Sequence, residues 1–341
     1  MQQRARVAMA VCGAATFFLV VQFGALALAG PFEAAGYQSV EDPQNPANSV
    51  LYFGVILVAT VIMLGLMRYG RTTALRAVLV LTSGLIAGYV FSVILPPLTI
   101  QAVGGANVSP WIGGAAIVFG LLFYPEWWVI DLSALIMGMG AAALFGISFG
   151  IFPAILLLVA LAVYDAISVY GTEHMLTLAS GVMELRVPVL VVLPTTLSYS
   201  FIDDASEMAE SIGGDGDDTD TDPEDAQTNG DTEGTDGDTG EGGLERDAIF
   251  IGLGDAVMPS ILVASAGVFL ETPTVLGIEV APLGAIAGTM LGLFVLLKMV
   301  LEGRPHAGLP LLNGGAILGY LVGALTTGTS LVTALGLDVV L

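Results

Sequence analysis

The chain has 341 residues, of which 55% are hydrophobic and only 12% are charged. This composition lies outside the range of soluble globular proteins and is typical of membrane proteins. A single cysteine excludes a disulfide framework, and two histidines without paired spacing argue against a metal centre. We therefore expect no metal, no cofactor and no nucleic-acid partner.

The net charge of −22 comes mainly from one segment. Eighteen of the 31 acidic residues lie between Asp203 and Asp247, where almost nothing apolar is available for burial. This pattern predicts a disordered acidic loop. The segment lacks the spacing of a calcium-binding EF-hand loop. The acidic excess, with one lysine beside eight arginines, is typical of a halophilic composition; a solvated linker is the alternative.

Nine apolar runs along the chain have about the length needed to cross a bilayer, and proline and glycine mark many of the joints between them. The runs cover residues 7–29, 49–67, 75–95, 110–125, 129–148, 151–170, 248–270, 281–301 and 307–327. The fourth is short for a hydrocarbon core of about 30 Å. The pattern predicts an all-α membrane protein with nine transmembrane helices.

The basic residues predict the orientation of these helices. With the N-terminus inside, all nine Lys and Arg residues fall on the cytoplasmic side, whereas the outer loops at 30–48 and 271–280 carry only acidic or neutral residues. A wrong helix count would scatter the charges over both sides. We therefore predict an N-in, C-out, multi-pass protein of the cell membrane. Its expected parts are helices 1–6 in residues 1–186, a cytoplasmic loop in 187–247 and helices 7–9 in 248–341.

Two segments allow more than one interpretation. The small residues at 25–30 follow a basic N-terminus and also fit a signal cleavage site, although the apolar run before them is long for a signal peptide. The segment VPVLVVLP at 187–194 is too short to span a bilayer. It could lie at the membrane interface or fill a cavity.

Two carboxylates lie inside predicted spans, Asp165 on the sixth and Asp255 on the seventh. Each is eight residues from the nearest charged residue on its loop side, Glu173 or Asp247. At a rise of about 1.5 Å per residue, both lie about 12 Å from the cytoplasmic boundary. Because the two spans are consecutive and antiparallel, we expect the carboxylates to face each other.

Such a pair shares one proton, because two close carboxylates in apolar surroundings cannot both ionise. One carboxylate then acts as a base on water and the other as an acid toward a carbonyl group. Intramembrane acids also serve transporters as proton or cation sites, or join helices by hydrogen bonds. The spacing alone leaves a hydrolase, a transporter and a structural role open.

The residues around the two acids narrow this choice. Tyr164-Asp165 on the sixth span and Gly252-Leu253-Gly254-Asp255 on the seventh resemble the signatures of the presenilin and signal peptide peptidase family of intramembrane aspartyl (GxGD) proteases. The long loop between them and the N-in orientation are most similar to microbial presenilin homologues. The resemblance implies a presenilin-like bundle in which Asp165 and Asp255 are the catalytic pair.

The start of the ninth span carries a third, partial match. Leu309 and Pro310 correspond to the family's Pro-Ala-Leu-Pro motif, while Ala307 and Gly308 replace its first proline and its alanine. The resemblance implies that Gly308, Leu309 and Pro310 position the substrate. A proline at the start of a helix would look the same without any function.

Three further residues beside the acids are expected to support the site. Gly252 and Gly254 lack side chains and would let a neighbouring backbone approach Asp255, although ordinary helix packing is the alternative. Tyr164 either places its hydroxyl beside Asp165 or only packs against neighbouring side chains.

The resemblance also implies the substrates, which would be single-span proteins with the N-terminus outside or remnant signal peptides, cut near the cytoplasmic side. An unwound substrate could add as a strand beside Ala248–Ile251 or the start of the ninth span. A homo-oligomer is a further expectation. The alternative function is a proton- or cation-coupled transporter using the same acids, but the two halves show no paired motifs of an inverted repeat.

Overall fold

The computed structural model describes residues 2–97, 99–100, 106–171, 190–194, 248–301 and 307–338. Within them the chain is mostly helical, with nine helices of 15 residues or more. These are α1 Gln2–Ala34, α2 Ala47–Arg68, α3 Thr72–Ile94, α4 Ser109–Phe123, α5 Trp127–Ser148, α6 Ile151–Gly171, α7 Leu253–Phe269, α8 Val280–Leu301 and α9 Gly308–Thr326. A single turn, α10 Leu331–Ala334, follows.

Short strands form three antiparallel pairs in the described residues. The pairs are β1 Thr99–Ile100 with β2 Ala106–Asn107, β3 Leu190–Pro194 with β4 Ala248–Gly252, and β5 Thr274–Val275 with β6 Ile278–Glu279. The expectation of an all-α protein is therefore too simple, because these connecting segments pair their backbone N–H and C=O groups between strands.

Seven of the described helices are long and apolar enough to cross a membrane, which makes the chain a multi-pass membrane protein. The other two long helices, α4 and α7, have 15 and 17 residues. All nine overlap the predicted spans, but the count of nine crossings stays a prediction. The acidic segment 203–247 lies outside the described residues, so its predicted disorder is not addressed.

The predicted boundaries are wrong at two helices. The helix α1 continues through Pro31 to Ala34, beyond the expected end at residue 29. The helix α7 begins at Leu253 instead of residue 248, because Ala248–Gly252 forms β4. Its partner β3 lies in the segment 187–194, for which the sequence left two interpretations open. Both strands are rich in branched apolar residues, which fit a pleated ribbon.

The helix α7 lies at the centre of the bundle. It packs against α1, α5, α6, α8 and α9, and Leu262 and Ala264 in its middle are fully buried. Because protein surrounds it, α7 does not face lipid directly, although it is short and carries a carboxylate. The core of the bundle therefore consists of α6 and α7, which hold the two acids, and of the helices that pack against α7.

The helices α8 and α9 approach each other closely through glycines. Three glycines of α8 lie against backbone carbonyl groups of α9, namely Gly284 against Gly319, Gly288 against Gly315 and Gly292 against Leu311. Small residues of this kind let membrane helices pack backbone to backbone. This packing fixes the position of α9, whose first turn lies beside both acids.

We predict that Gly288→Ala destabilises the protein. The new methyl group would collide with the carbonyl oxygen of Gly315, which is backbone and cannot rotate away. We expect the free energy of unfolding to fall by about 1–3 kcal/mol, as for other overpacked sites, in denaturant titrations in detergent. Gly314→Ala is the matched control, because its methyl group would have no described atom within 4 Å. Equal stability of the two variants would contradict the close packing of α8 and α9.

Candidate active site

Two carboxylates meet at the first turn of α9. Asp165 on α6 accepts a hydrogen bond through Oδ2 from the backbone N–H of Leu309, at 3.0 Å. Asp255 lies beside the preceding residue, since a methyl group placed on Gly308 would be 3.5 Å from its Oδ2. The structure thus brings together Asp165, Asp255, Gly308 and Leu309.

The position of Asp255 follows from the junction of β4 and α7. The strand ends at Gly252, which is also the N-cap of α7, and Asp255 falls in the first turn of the helix. A negative side chain interacts favourably with the N-terminal end of a helix. Asp255 is partly exposed and Gly254 beside it is exposed. The carboxylate therefore lies at the start of the helix, next to a glycine that leaves open space.

Asp165 is buried, with 7% of its surface exposed. Its partner is one of the first N–H groups of α9, which have no carbonyl partner within their own helix. Pro310 in the same turn has no N–H group, so the donors that this turn offers to Asp165 are the backbone N–H groups of Leu309 and Gly308. The electropositive end of α9 thus faces a buried acid.

Both motif glycines border Asp255, but in different ways. A methyl group on Gly252 would lie 3.5 Å from Asp255 Oδ2, which is an ordinary contact. A methyl group on Gly254 would meet no described atom within 4 Å. Gly252 therefore lines the carboxylate, whereas Gly254 leaves open space next to it.

Tyr164 lies on a different side of α6 from the point at which the two acids meet. The residue is 38% exposed, and its ring packs edge-on against Phe53 of α2, with 6.2 Å between the ring centroids. Within the described residues, the hydrogen bonds to Asp165 come from the backbone at the start of α9 and not from Tyr164. The geometry favours the packing alternative for this tyrosine.

Two residues near the site escaped the sequence analysis. Asn313 on α9 is fully buried and donates from Nδ2 to the carbonyl oxygen of Leu158 on α6, at 3.0 Å. The hydroxyl of Tyr170, at the end of α6, lies 3.5 Å from the backbone nitrogen of Ala307. An amide inside an apolar span was a visible signal for Asn313. Tyr170 had no such signal, because aromatic residues are common at helix ends in membranes.

The chemistry available here is that of two carboxylates and a backbone N–H donor. In the described part of the chain, His, Cys, Asp and Glu side chains form no group of three or more that could hold a metal ion. A close carboxylate pair can take a proton from one reactant and give a proton to another. The arrangement therefore suits acid–base catalysis.

Comparisons with known proteins identify the family. The family described as signal-peptide peptidase, presenilin aspartyl protease matches residues 15–329. Two solved structures of a presenilin family intramembrane aspartate protease are similar. The one in space group C222 is 33% identical, with 93% of this chain and 99% of that chain covered and a TM-score of 0.60. The one in space group P2 is 34% identical, with 92% and 97% covered and a TM-score of 0.58.

None of the curated proteins matches the chain. The transporter alternative has no support in these comparisons, since the family and both structures are aspartate proteases. The family match spans both Asp165 and Asp255 and all nine long helices apart from the first part of α1. The chain belongs to the signal-peptide peptidase and presenilin family of intramembrane aspartyl proteases and is an aspartic endopeptidase of the membrane.

Proposed function

We propose that the protein hydrolyses peptide bonds within transmembrane segments, with Asp165 and Asp255 as the acid–base pair that activates water. One observation carries this proposal: both carboxylates meet at the turn formed by Gly308 and Leu309. The residues come from three helices that are far apart in sequence, so this convergence is a property of the fold.

In the resting site the pair shares one proton. Asp165, which accepts the N–H of Leu309, is the charged member and takes a proton from a water molecule between the two acids. The water oxygen bonds to the peptide carbonyl carbon while Asp255 protonates the carbonyl oxygen. The C–N bond then breaks as Asp165 passes its proton to the leaving nitrogen. Asp255 recovers its proton from a hydroxyl of the intermediate, which completes the cycle.

A helical substrate must unwind before this reaction, because its carbonyl groups are occupied by helical hydrogen bonds. The ribbon of β3 and β4 offers a place for the unwound segment. It ends at Gly252, three residues before Asp255, and Ala307 before α9 is also extended. We propose that the substrate adds as a strand to one of these segments, with its backbone hydrogen-bonded beside the two acids.

We further propose nine crossings with the N-terminus inside, including α4 and α7. With alternating helices, Arg68, Arg71 and Lys298 lie at the same end of the bundle as the start of α9, which supports a site near the cytoplasmic side of the cell membrane. Gly308, Leu309 and Pro310 would position the substrate there. The proposed parts are helices 1–6 in 1–186, the cytoplasmic loop in 187–247 and helices 7–9 in 248–341.

The proposed substrates are single-span segments with the N-terminus outside, or remnant signal peptides. Such a segment enters from the lipid and requires no soluble domain for recognition. Several of the helices α1–α9 leave apolar side chains exposed, as expected for helices that contact the lipid from which such a segment would come. Association of two copies stays a prediction.

The first test of this function is to replace each acid by its amide. In proteoliposomes with a labelled transmembrane peptide, we expect Asp165→Asn and Asp255→Asn each to lower kcat by about 10³-fold or more, because the amide cannot exchange the proton. Asp131→Asn, which changes an acid of α5 outside the site, is the control and should cleave normally. Hydrolysis unaffected by either site variant would sink the proposal, and ion flux without hydrolysis in the parent would favour a transporter.

Gly254→Ala tests whether the open space beside Asp255 receives the substrate. We expect a loss of about tenfold in kcat/KM at an unchanged melting temperature, because the methyl group occupies that space without touching described atoms. Gly30→Ala on α1 is the matched control, since its methyl group also meets no described atom within 4 Å. Normal cleavage by Gly254→Ala would show that the space is not used.

Cross-linking tests the place of the substrate strand. With cysteines introduced along a substrate peptide and, one at a time, at the partly exposed residues 309–311 of a Cys12→Ser protein, we expect adducts that centre on the scissile region. Cysteine at Leu318, which is 66% exposed farther along α9, serves as the distant control. Adducts of the scissile region that form only at Leu318 would exclude strand addition at the start of α9.

A further inference from the structure

Asn313 is a fully buried amide in the interior of a membrane bundle. Its Nδ2 donates to the carbonyl oxygen of Leu158, while its Oδ1 is buried without a partner among the described residues. A buried polar atom left unpaired costs free energy, and an apolar side chain of similar size would avoid that cost. Stability alone therefore does not account for an asparagine at this position.

The hydrogen bond of Asn313 lies on the same two helix faces as the contact to Asp165. Leu309 and Asn313 are four residues apart on α9, and Leu158 and Asp165 are seven apart on α6, so each pair shares one face of its helix. Rising residue numbers on α9 meet falling numbers on α6, as in an antiparallel pair. The two hydrogen bonds thus join the helices at two heights.

A single contact would leave α9 free to turn or slide against α6, whereas two contacts at different heights set its register. The glycine packing described above holds α9 against α8 and leaves the α6 side to other contacts. Without Asn313, the hydrogen bonds from Leu309 to Asp165 and from Ala307 to Tyr170 would remain, but both lie at the start of α9, and apolar packing alone would set the register farther along the helix.

We infer that Asn313 is a positioning residue for the catalytic site: its amide holds α9 in the register at which the Leu309 N–H points at Asp165. The inference rests on the proposed function of Asp165 and Asp255. It concerns a side chain that touches neither acid and that acts through the backbone of α9.

The test uses Asn313→Leu, which removes the hydrogen bond at similar side-chain size. The carbonyl of Leu158 lies within α6 and keeps its helical partner, so the variant leaves no group unpaired. We expect an unchanged or higher melting temperature, a kcat lower by about tenfold to a hundredfold and a KM within about twofold of the parent. A purely structural role would instead lower the melting temperature.

A second variant guards against a folding defect specific to leucine. In Asn313→Ser the hydroxyl is too short to reach α6 and can bond to a carbonyl of its own helix, as Ser260 and Thr289 do. We expect the same loss of kcat. The matched control is Gln22→Leu on α1, which removes another fully buried amide with an unpaired oxygen, one that bonds to Phe18 and Met290 and not to α6 or α9. It should leave kcat and KM unchanged.

A distance measurement makes the test independent of hydrolysis. Spin labels at Ile167 on α6 and Leu318 on α9, both exposed, are placed in a Cys12→Ser background, since Cys12 is the one cysteine of the chain. We expect the distance distribution to shift or broaden in Asn313→Leu and Asn313→Ser, and to stay unchanged in Gln22→Leu.

The outcomes separate the inference from the proposed function. Parent-like distances in both Asn313 variants overturn the inference, as does a fall in kcat that only accompanies a lower melting temperature. If the parent cleaves no peptide, or cleaves it without Asp165 and Asp255, the proposed function fails, while the distances still decide whether Asn313 sets the register.

Discussion

Two carboxylates inside an apolar helix bundle are the constraint on which the rest of the structure depends. Each must be compensated locally, because lipid offers no hydrogen bonds. Asp255 stands in the first turn of α7, and Asp165 accepts an N–H from the first turn of α9. Both acids thus lie at helix N-termini, where unpaired N–H groups are already present, and Asp165 bonds to one of them. The start of α9 is consequently the element that joins the two.

The packing of the other helices serves this arrangement. Protein surrounds α7, so a helix of 17 residues with a carboxylate can lie inside the membrane part of the molecule. The glycines of α8 bring its backbone against α9 and fix one side of that helix. Hydrogen bonding from Asn313 to α6 holds the opposite side. A displacement of α9 by about 1 Å would separate the Leu309 N–H group from Asp165. Rigid backbone packing of α9 therefore preserves this hydrogen bond.

The ribbon of β3 and β4 connects the segment between α6 and α7 to the site. Its last pair joins Leu190 to Gly252, directly before α7, and Val191 is buried between this ribbon and the bundle. An extended backbone next to the acids is a suitable surface for an unwound peptide, since a strand edge pairs with any sequence through main-chain groups. In a protease of this family, recognition by backbone would allow substrates with different side chains.

The sequence by itself determined the membrane class, the positions of the long helices and the two acids with their glycines. These features are local, because composition, apolar runs and short motifs are read from neighbouring residues. Only the tertiary structure decided that 248–252 is a strand, that Tyr164 packs on α2, and that Leu309 and Asn313 bond to α6. Those hydrogen bonds join residues 144 and 155 positions apart, and such partners depend on how the helices pack and not on any local pattern.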